Sequence, residues 1–371
     1  MSAQSNPSVP YSRSPMTDLM IYLKTTDTCQ LNCAHCFTSG SSGKKNIFDT
    51  TKTIDWLHRL KSAIPHFRQA QIVFHGGEPF LAPVSKMREV WTYTKDLWPN
   101  LTWSTTTNLV YNLDQEKIDF MTECFQKNIA TSWDRGIRFA NPKQEELWTK
   151  NVKTLTQELG FTVTMMVSLG RDIIKNEPIE LIRKAAEVGA SYLHLERITP
   201  NGNARLNPAI TPSNQELDEW FFRMYQQTVE YKVWEWGPQN LFLNSILTSL
   251  TYSTHSGCRC RACEQKIFTI NADGTIGGCP NHAPDNHFGT LDDSIHKLLF
   301  SPGRIKNIQC ESNRNPICYT CPVYDVCNGD CNQLAWQGDI CAAPKKLMTY
   351  LKEQRNIDEY KTVLSDFFGT E

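Results

Sequence analysis

Cys29, Cys33 and Cys36 stand at the spacing C-x3-C-x2-C in TDTCQLNCAHCF. Three thiolates this close can each take one iron of a cubane 4Fe–4S cluster, and no fourth cysteine follows nearby. One iron is then open to something that is not protein, and an open metal position is a reaction site, as in catalytic zinc centres. A zinc site or a redox cysteine cluster is the other reading this spacing allows. The cysteines follow LMIYL (19–23), an apolar run that reads as a first strand. They therefore fall on a loop at a strand's C-terminal end, where α/β barrels carry their chemistry.

Further groups sit at the ends of later strand candidates. HGGEP (75–79) follows AQIVF (70–74), and its two glycines let the backbone approach a ligand closely. Glu78 is an acceptor for an ammonium group. Asn108 ends TWSTTT (102–107), and Ser168 lies near the end of VTMMVSL (163–169). IATSW (129–133) and SYLHLERI (191–198) complete a set of six strands. Helix-like stretches at 51–64, 86–98, 114–128, 144–160 and 177–189 separate them. Successive βα units predict a parallel sheet. Six units are fewer than the eight that close a full barrel, so an open, partial (β/α)6 barrel is expected.

The chain has 371 residues and 14 cysteines, with 40% apolar residues and a net charge of −1. That length allows one large domain and a smaller one. The charge gives no sign of a nucleic-acid partner, and no apolar run reaches membrane-spanning length. The start, MSAQSNPSVPYSRSPMTD, lacks the apolar core of a secretory signal. So many cysteines without such a signal read as metal ligands in a reducing cytoplasm rather than as disulfides. Only Cys124 lies between Cys36 and Cys258, and ten cysteines run from Cys258 to Cys341. We expect a tail over 1–18, the partial barrel over 19–235, a bridge and cysteine-rich unit over 236–345, and a helical end over 346–371. YKVWEWGPQNLFL (231–243) is expected to pack the two halves together.

Together, the cysteine loop and GGEP one βα unit later resemble the radical S-adenosylmethionine (SAM) enzymes. The resemblance implies that the open iron chelates SAM and that an electron from the cluster cleaves it to a 5′-deoxyadenosyl radical. It assigns Gly76, Gly77 and Glu78 to the SAM amino group, with Asn108 and Ser168 as further cofactor contacts. The family often has an aromatic residue before the third cysteine and a glycine after Thr-Asn; here His35 and Leu109 stand there. Asp134 in SWDRG resembles a Ser-x-Asp-Gly segment after strand four.

The C-terminal cysteines resemble the seven-cysteine pattern of the SPASM domain: Cys263, Gly274 and Cys279, then Cys318, Cys321, Cys327 and Cys331, then Cys341. That module implies two further 4Fe–4S clusters, three in all. The first would use Cys258 or Cys260, with Cys258 favoured by spacing, then Cys263, Cys279 and Cys331. The second would use Cys318, Cys321, Cys327 and Cys341. Cys124 and Cys310 are outside the pattern and are expected to be small buried residues.

Such enzymes act on peptides or proteins. The sulfatase maturases, which make formylglycine, place an aspartate base directly after the cysteine matched by Cys279; here Pro280 stands there. The chain is more similar to the triceptide (XYE-type) maturases, which join an aromatic ring to the β-carbon of a residue two positions on. Thioether synthases and epimerases are the other members to weigh. The resemblance implies a ribosomally made precursor peptide as substrate and an external donor of the flavodoxin or ferredoxin type. Only about 18 residues precede the first strand, so the peptide is expected to dock on the barrel, bridge or SPASM module. A base is needed as well; Asp273, His282, Asp285 and Glu196 are polar candidates that spacing does not separate.

Overall fold

The computed structural model describes residues 18–38, 40, 44–251, 262–282 and 285–354. One ten-stranded sheet runs through them. Strands β1 (Asp18–Thr26), β2 (Gln69–Gly76), β3 (Asn100–Thr107), β4 (Asn128–Ser132), β5 (Thr162–Ser168) and β6 (Tyr192–Glu196) lie side by side in chain order. Every neighbouring pair among them is parallel. Helices Thr50–Ala63, Val84–Thr94, Gln115–Phe125, Pro142–Lys153 and Pro178–Glu187 cross between them. All six expected strands are present, and the expected 144–160 helix ends in a π turn at Thr154–Glu158.

Local sequence explains where these elements start. Asp49, Asp114 and Asn141 each accept a hydrogen bond from a backbone N–H of the helix that follows. Along β5, Val163, Met165 and Val167 are fully buried against the helices, whereas Thr164, Met166 and Ser168 point inward and stay half-exposed. Large branched residues fill the interior of a closed eight-stranded barrel. Here the inward positions include Thr106, Ser132, Ser168 and Glu196, whose small or polar side chains leave the interior open.

The sheet does not stop at the expected boundary between residues 235 and 236. Strand β7 (Gln239–Asn240) pairs with β6, and β8 (Ile267–Ile270) pairs parallel with β1. Strands β9 (Thr275–Gly277) and β10 (His287–Thr290) continue antiparallel from β8. The cysteine-rich segment thus extends the barrel's own sheet at its first edge. Two further links hold it. Arg59 donates to the Asp293 carbonyl at 2.8 Å. At the far side, Arg197 and Asp330 form a bidentate pair, with Nη2 to Oδ1 at 2.9 Å and side chains 1% and 6% exposed. Phe242 from the aromatic bridge stacks on Phe221 of the helix Asn214–Glu230 and lies under the Arg197 guanidinium. Among the described residues no helix is long and apolar enough to cross a membrane.

Candidate active site

The loop carrying Cys29, Cys33 and Cys36 is fixed by backbone groups from four other loops. Gly77 N donates to the Thr26 carbonyl and Glu78 N to the Thr28 carbonyl, both at 2.8 Å. Ala34 N donates to the Ile137 carbonyl at 2.8 Å. Gln30 Nε2 donates to Asn108 Oδ1 and to the Val110 carbonyl, both at 2.9 Å. From the loop after β6, Asn203 donates its N–H to the Cys36 carbonyl (2.7 Å) and its Nδ2 to the Cys33 carbonyl (3.0 Å).

These approaches are close enough to require glycine. A Cβ on Gly77 would stand 2.2 Å from the Thr28 carbonyl oxygen. One on Gly202 would stand 2.4 Å from the Cys36 carbonyl oxygen, at a φ of +53°. Gly77→Ala is therefore expected to push the cysteine loop off its seat, with a loss of about 2 kcal/mol or more in stability. Iron content after anaerobic reconstitution should fall with it; full iron loading and an unchanged denaturation midpoint would contradict this packing.

The three cysteines face a cavity of about 330 Å³ at the C-terminal ends of the strands. Gly76, Gly77, Asn108 and Ser168 line it with them. None of the three is in a disulfide. Burial pushes the Cys29 thiol up to about 12, and pushes Cys33 up to about 11 in spite of the nearby Arg138. Such thiols stay neutral until a cation enters and displaces the proton. Among the described residues no three His, Cys, Asp or Glu side chains converge as ligands of a single ion. A cubane places each cysteine on its own iron, so its ligands stand farther apart than those of one ion. Three free, cavity-facing thiols on a pinned loop fit that group.

Glu78 is turned away from the cavity. Its Oε1 accepts from Phe80 N (3.1 Å) and Thr107 Oγ1 (2.7 Å), and its Oε2 accepts from Asn108 N (2.7 Å). Burial raises Glu78 to about 7 against the pull of these donors. The carboxylate thus ties the ends of β2 and β3 together. Asn108 faces the cavity, its Nδ2 3.6 Å from Cys29 Sγ. Leu109 adopts a φ of +52°, a left-handed conformation that costs a leucine more than a glycine.

A second buried carboxylate, Asp134, joins three parts of the site. It pairs with Arg138 Nε (2.6 Å) and His35 Nε2 (3.2 Å) and accepts the N–H of Ser168 (2.5 Å). Burial alone would raise its pKa, but Arg138 and His35 outweigh that and hold the carboxyl well below the usual range.

The C-terminal cysteines approach in two groups. Cys263, Cys279 and Cys331 line the same cavity as the first three. Burial, with the nearby Glu264 and Cys331, pushes Cys279 up to about 12. Cys341 is raised to about 11 by burial, with Cys327 and Cys321 among its charged neighbours. Cys258 and Cys260 lie outside the described residues. Cys124 is buried, but Cys310 is exposed, contrary to expectation. Two acids that spacing did not flag organise the first group. Glu311 accepts the N–H groups of Cys263 (2.7 Å) and Glu264 (2.9 Å), and Glu264 accepts those of Cys279 (3.0 Å) and the His282 ring (2.8 Å). Of the four base candidates, Glu196 lines the same cavity as the cysteines. Asp273 caps the β8–β9 turn, Asp285 is exposed, and His282 lines a smaller neighbouring space.

No family model and no curated protein matches this sequence. Solved structures do match in fold. Native anSMEcpe with bound AdoMet and the Cp18Cys peptide superposes at a TM-score of 0.73 and 14% identity, over 93% of this chain and 99% of that one. Streptococcus suis SuiB bound to the precursor peptide SuiA gives 0.58 and 14%, over 85% and 72%. The chain has the fold that these proteins share.

Proposed function

We propose that this chain is a radical SAM enzyme that modifies a ribosomally made peptide, with three 4Fe–4S clusters. The observation that carries the reading is the set of three free thiols facing one open cavity, with three more cysteines lining the same cavity. Cys29, Cys33 and Cys36 hold the first cluster. Cys263, Cys279 and Cys331 with Cys258 hold the second, and Cys318, Cys321, Cys327 and Cys341 hold the third. When bound, the first cluster and SAM supply a radical able to take a hydrogen atom from carbon. Gly76 and Gly77 form the wall against which SAM lies, Asn108 and Ser168 offer it polar contacts, and Glu78 and Asp134 hold those groups in place. The other two clusters are each ligated by four cysteines, an arrangement that suits electron transfer rather than substrate binding.

Both structural neighbours were crystallised with peptides, which supports a peptide substrate here. Within this class we propose a cyclophane: a bond between an aromatic ring carbon and the β-carbon of a residue two positions on. Pro280 lines the cavity directly after Cys279 and carries no proton-accepting group, which weighs against formylglycine formation. The closer superposition on anSMEcpe than on SuiB keeps a sulfatase-type maturase as the second reading. We place the enzyme in the cytoplasm, served by a flavodoxin- or ferredoxin-type donor.

Mass spectrometry of a candidate precursor peptide co-expressed with the enzyme separates these products. A cyclophane removes two hydrogens and blocks fragmentation across three residues starting at an aromatic one. A loss of two hydrogens at a single cysteine indicates a thioether or an oxidised side chain. A deuterium gained from solvent at otherwise unchanged mass indicates epimerisation. Either of the last two results sinks the cyclophane reading.

A further inference from the structure

Lys24 is 7% exposed and stands on the face of β1 that also carries Tyr22, a residue of the cavity wall. Among the described residues, no hydrogen bond or ion pair reaches its ammonium group. The two acids that act on it by charge have other partners. Asp27 accepts from Asn46 Nδ2 at 2.9 Å, and Asp273 accepts from Thr275 N and Oγ1 at 3.0 and 2.7 Å. Arg138, the cation beside Cys33, is by contrast paired with Asp134. His75, opposite Lys24 in the strand register, is lowered to about 4 by burial and by Lys24, so it brings no second positive charge near neutral pH. A buried charge without a partner is costly, and folded proteins pair such groups.

The surroundings of Lys24 point to what balances it. It lines a space of about 20 Å³ with Phe37, Cys279, Pro280, His282 and Asn286. That is room for about one water molecule. Phe37, Cys279 and Pro280 also line the large cavity, so the two spaces adjoin. Cys36 is the thiol that acts on Lys24 by charge, and Cys279 shares its small space. One belongs to the first proposed cluster and the other to the second. A 4Fe–4S core held by thiolates is a net anion, and an added electron makes it more negative. We infer that Lys24 is the counter-charge shared by the first and second clusters and that it raises the reduction potential of both; the inference rests on the function proposed above.

Reduction adds one electron from the external donor to a cluster, and no bond forms or breaks. Lys24 stabilises the negative charge that arrives. A single fixed charge at the effective dielectric of a protein interior favours such a reduction by about tenfold, or about 59 mV for a one-electron couple. A raised potential makes the first cluster easier for a ferredoxin-type donor to reduce. It also makes the second a better acceptor for the electron that peptide oxidation releases.

The test is a redox titration of anaerobically reconstituted holoenzyme, followed by electron paramagnetic resonance. The first cluster's signal is recognised by its change on adding SAM, and the second by its loss in Cys263→Ala. Lys24→Met is expected to make reduction of both about tenfold less favourable, a fall of about 59 mV in each potential. Lys24→Arg keeps the charge and is expected to stay within about twofold of wild type. The third cluster, none of whose cysteines lines the Lys24 space, is expected to hold its potential in both variants. Unchanged potentials in a fully loaded Lys24→Met overturn the assignment and leave the clusters standing. So does a shift confined to one cluster, or an equal fall in Lys24→Arg. If Lys24→Met takes up no iron, Lys24→Gln replaces it. Should both fail to load while Lys24→Arg loads with wild-type potentials, the charge itself is required and the assignment holds; failure of all three overturns it. A wild-type protein with no signal altered by SAM sinks the proposed function and takes this assignment with it.

Discussion

Replacing Cys29, Cys33 and Cys36 together by alanine is expected to abolish SAM cleavage while about two-thirds of the iron remains bound. The loss should exceed about a thousandfold, because the chemistry has no route without the open iron. The two further clusters we propose draw on separate thiols: Cys341 has Cys327 and Cys321 as its sulfur neighbours, and Cys279 has Cys331. Iron analysis and chromatography of 5′-deoxyadenosine check both halves of the expectation. Retained cleavage would refute the site assignment. Loss of all the iron would show that the cysteine loop and the C-terminal module fold around one shared core of metal.

Arg197→Ala is expected to have the largest effect of any substitution outside the cysteines. Its guanidinium grips Asp330 in a bidentate pair, donates to the Ala342 carbonyl at 2.9 Å and lies over Phe242. Asp330 in turn accepts the N–H of Cys331 at 2.7 Å. Removing one partner of so buried a pair leaves the other charge stranded, at a cost of about 3–5 kcal/mol. Exposed pairs such as Lys153–Glu187 contribute about 0–1 kcal/mol and make a fair control. Urea denaturation of the reconstituted protein measures both. A cost below about 1 kcal/mol for Arg197→Ala would mean that the pairing of β8 with β1 and the Arg59 link hold the module without it.

How far these features are legible in the sequence depends on how local their causes are. Strands β1 to β6 announce themselves because each is a short run rich in apolar or β-branched residues, set between helix-like stretches. Strand β8 is harder to read: IFTI is four residues long, buried throughout, and its partner Met20–Leu23 lies far upstream. The direction of Glu78 is likewise non-local, since two of its donors, Thr107 and Asn108, arrive from β3. Asn203 comes from the loop after β6, and its two hydrogen bonds to the cysteine loop make it part of the site. Helix Pro302–Ser312 inverts the usual rule. Its buried stripe is Arg304, Asn307 and Glu311, which serve the cysteine segments, so Cys310 is left on the solvent side.

The cysteine motif is more legible than its supports. Its spacing is written in the chain, because three thiols on one short loop need no distant partner to be noticed. What the sequence could not supply were groups that seat the loop, Gln30 and Asn203, and the pairing of Asp134 with Arg138 and His35. Each depends on which strand ends the sheet brings together.

The most direct test of the central claim is anaerobic incubation of the reconstituted protein with SAM and dithionite, followed by quantification of 5′-deoxyadenosine. The account predicts 5′-deoxyadenosine and methionine in equal amounts, with the first cluster's spectroscopic signal altered by SAM. Intact SAM in the presence of a fully iron-loaded, folded protein would contradict it.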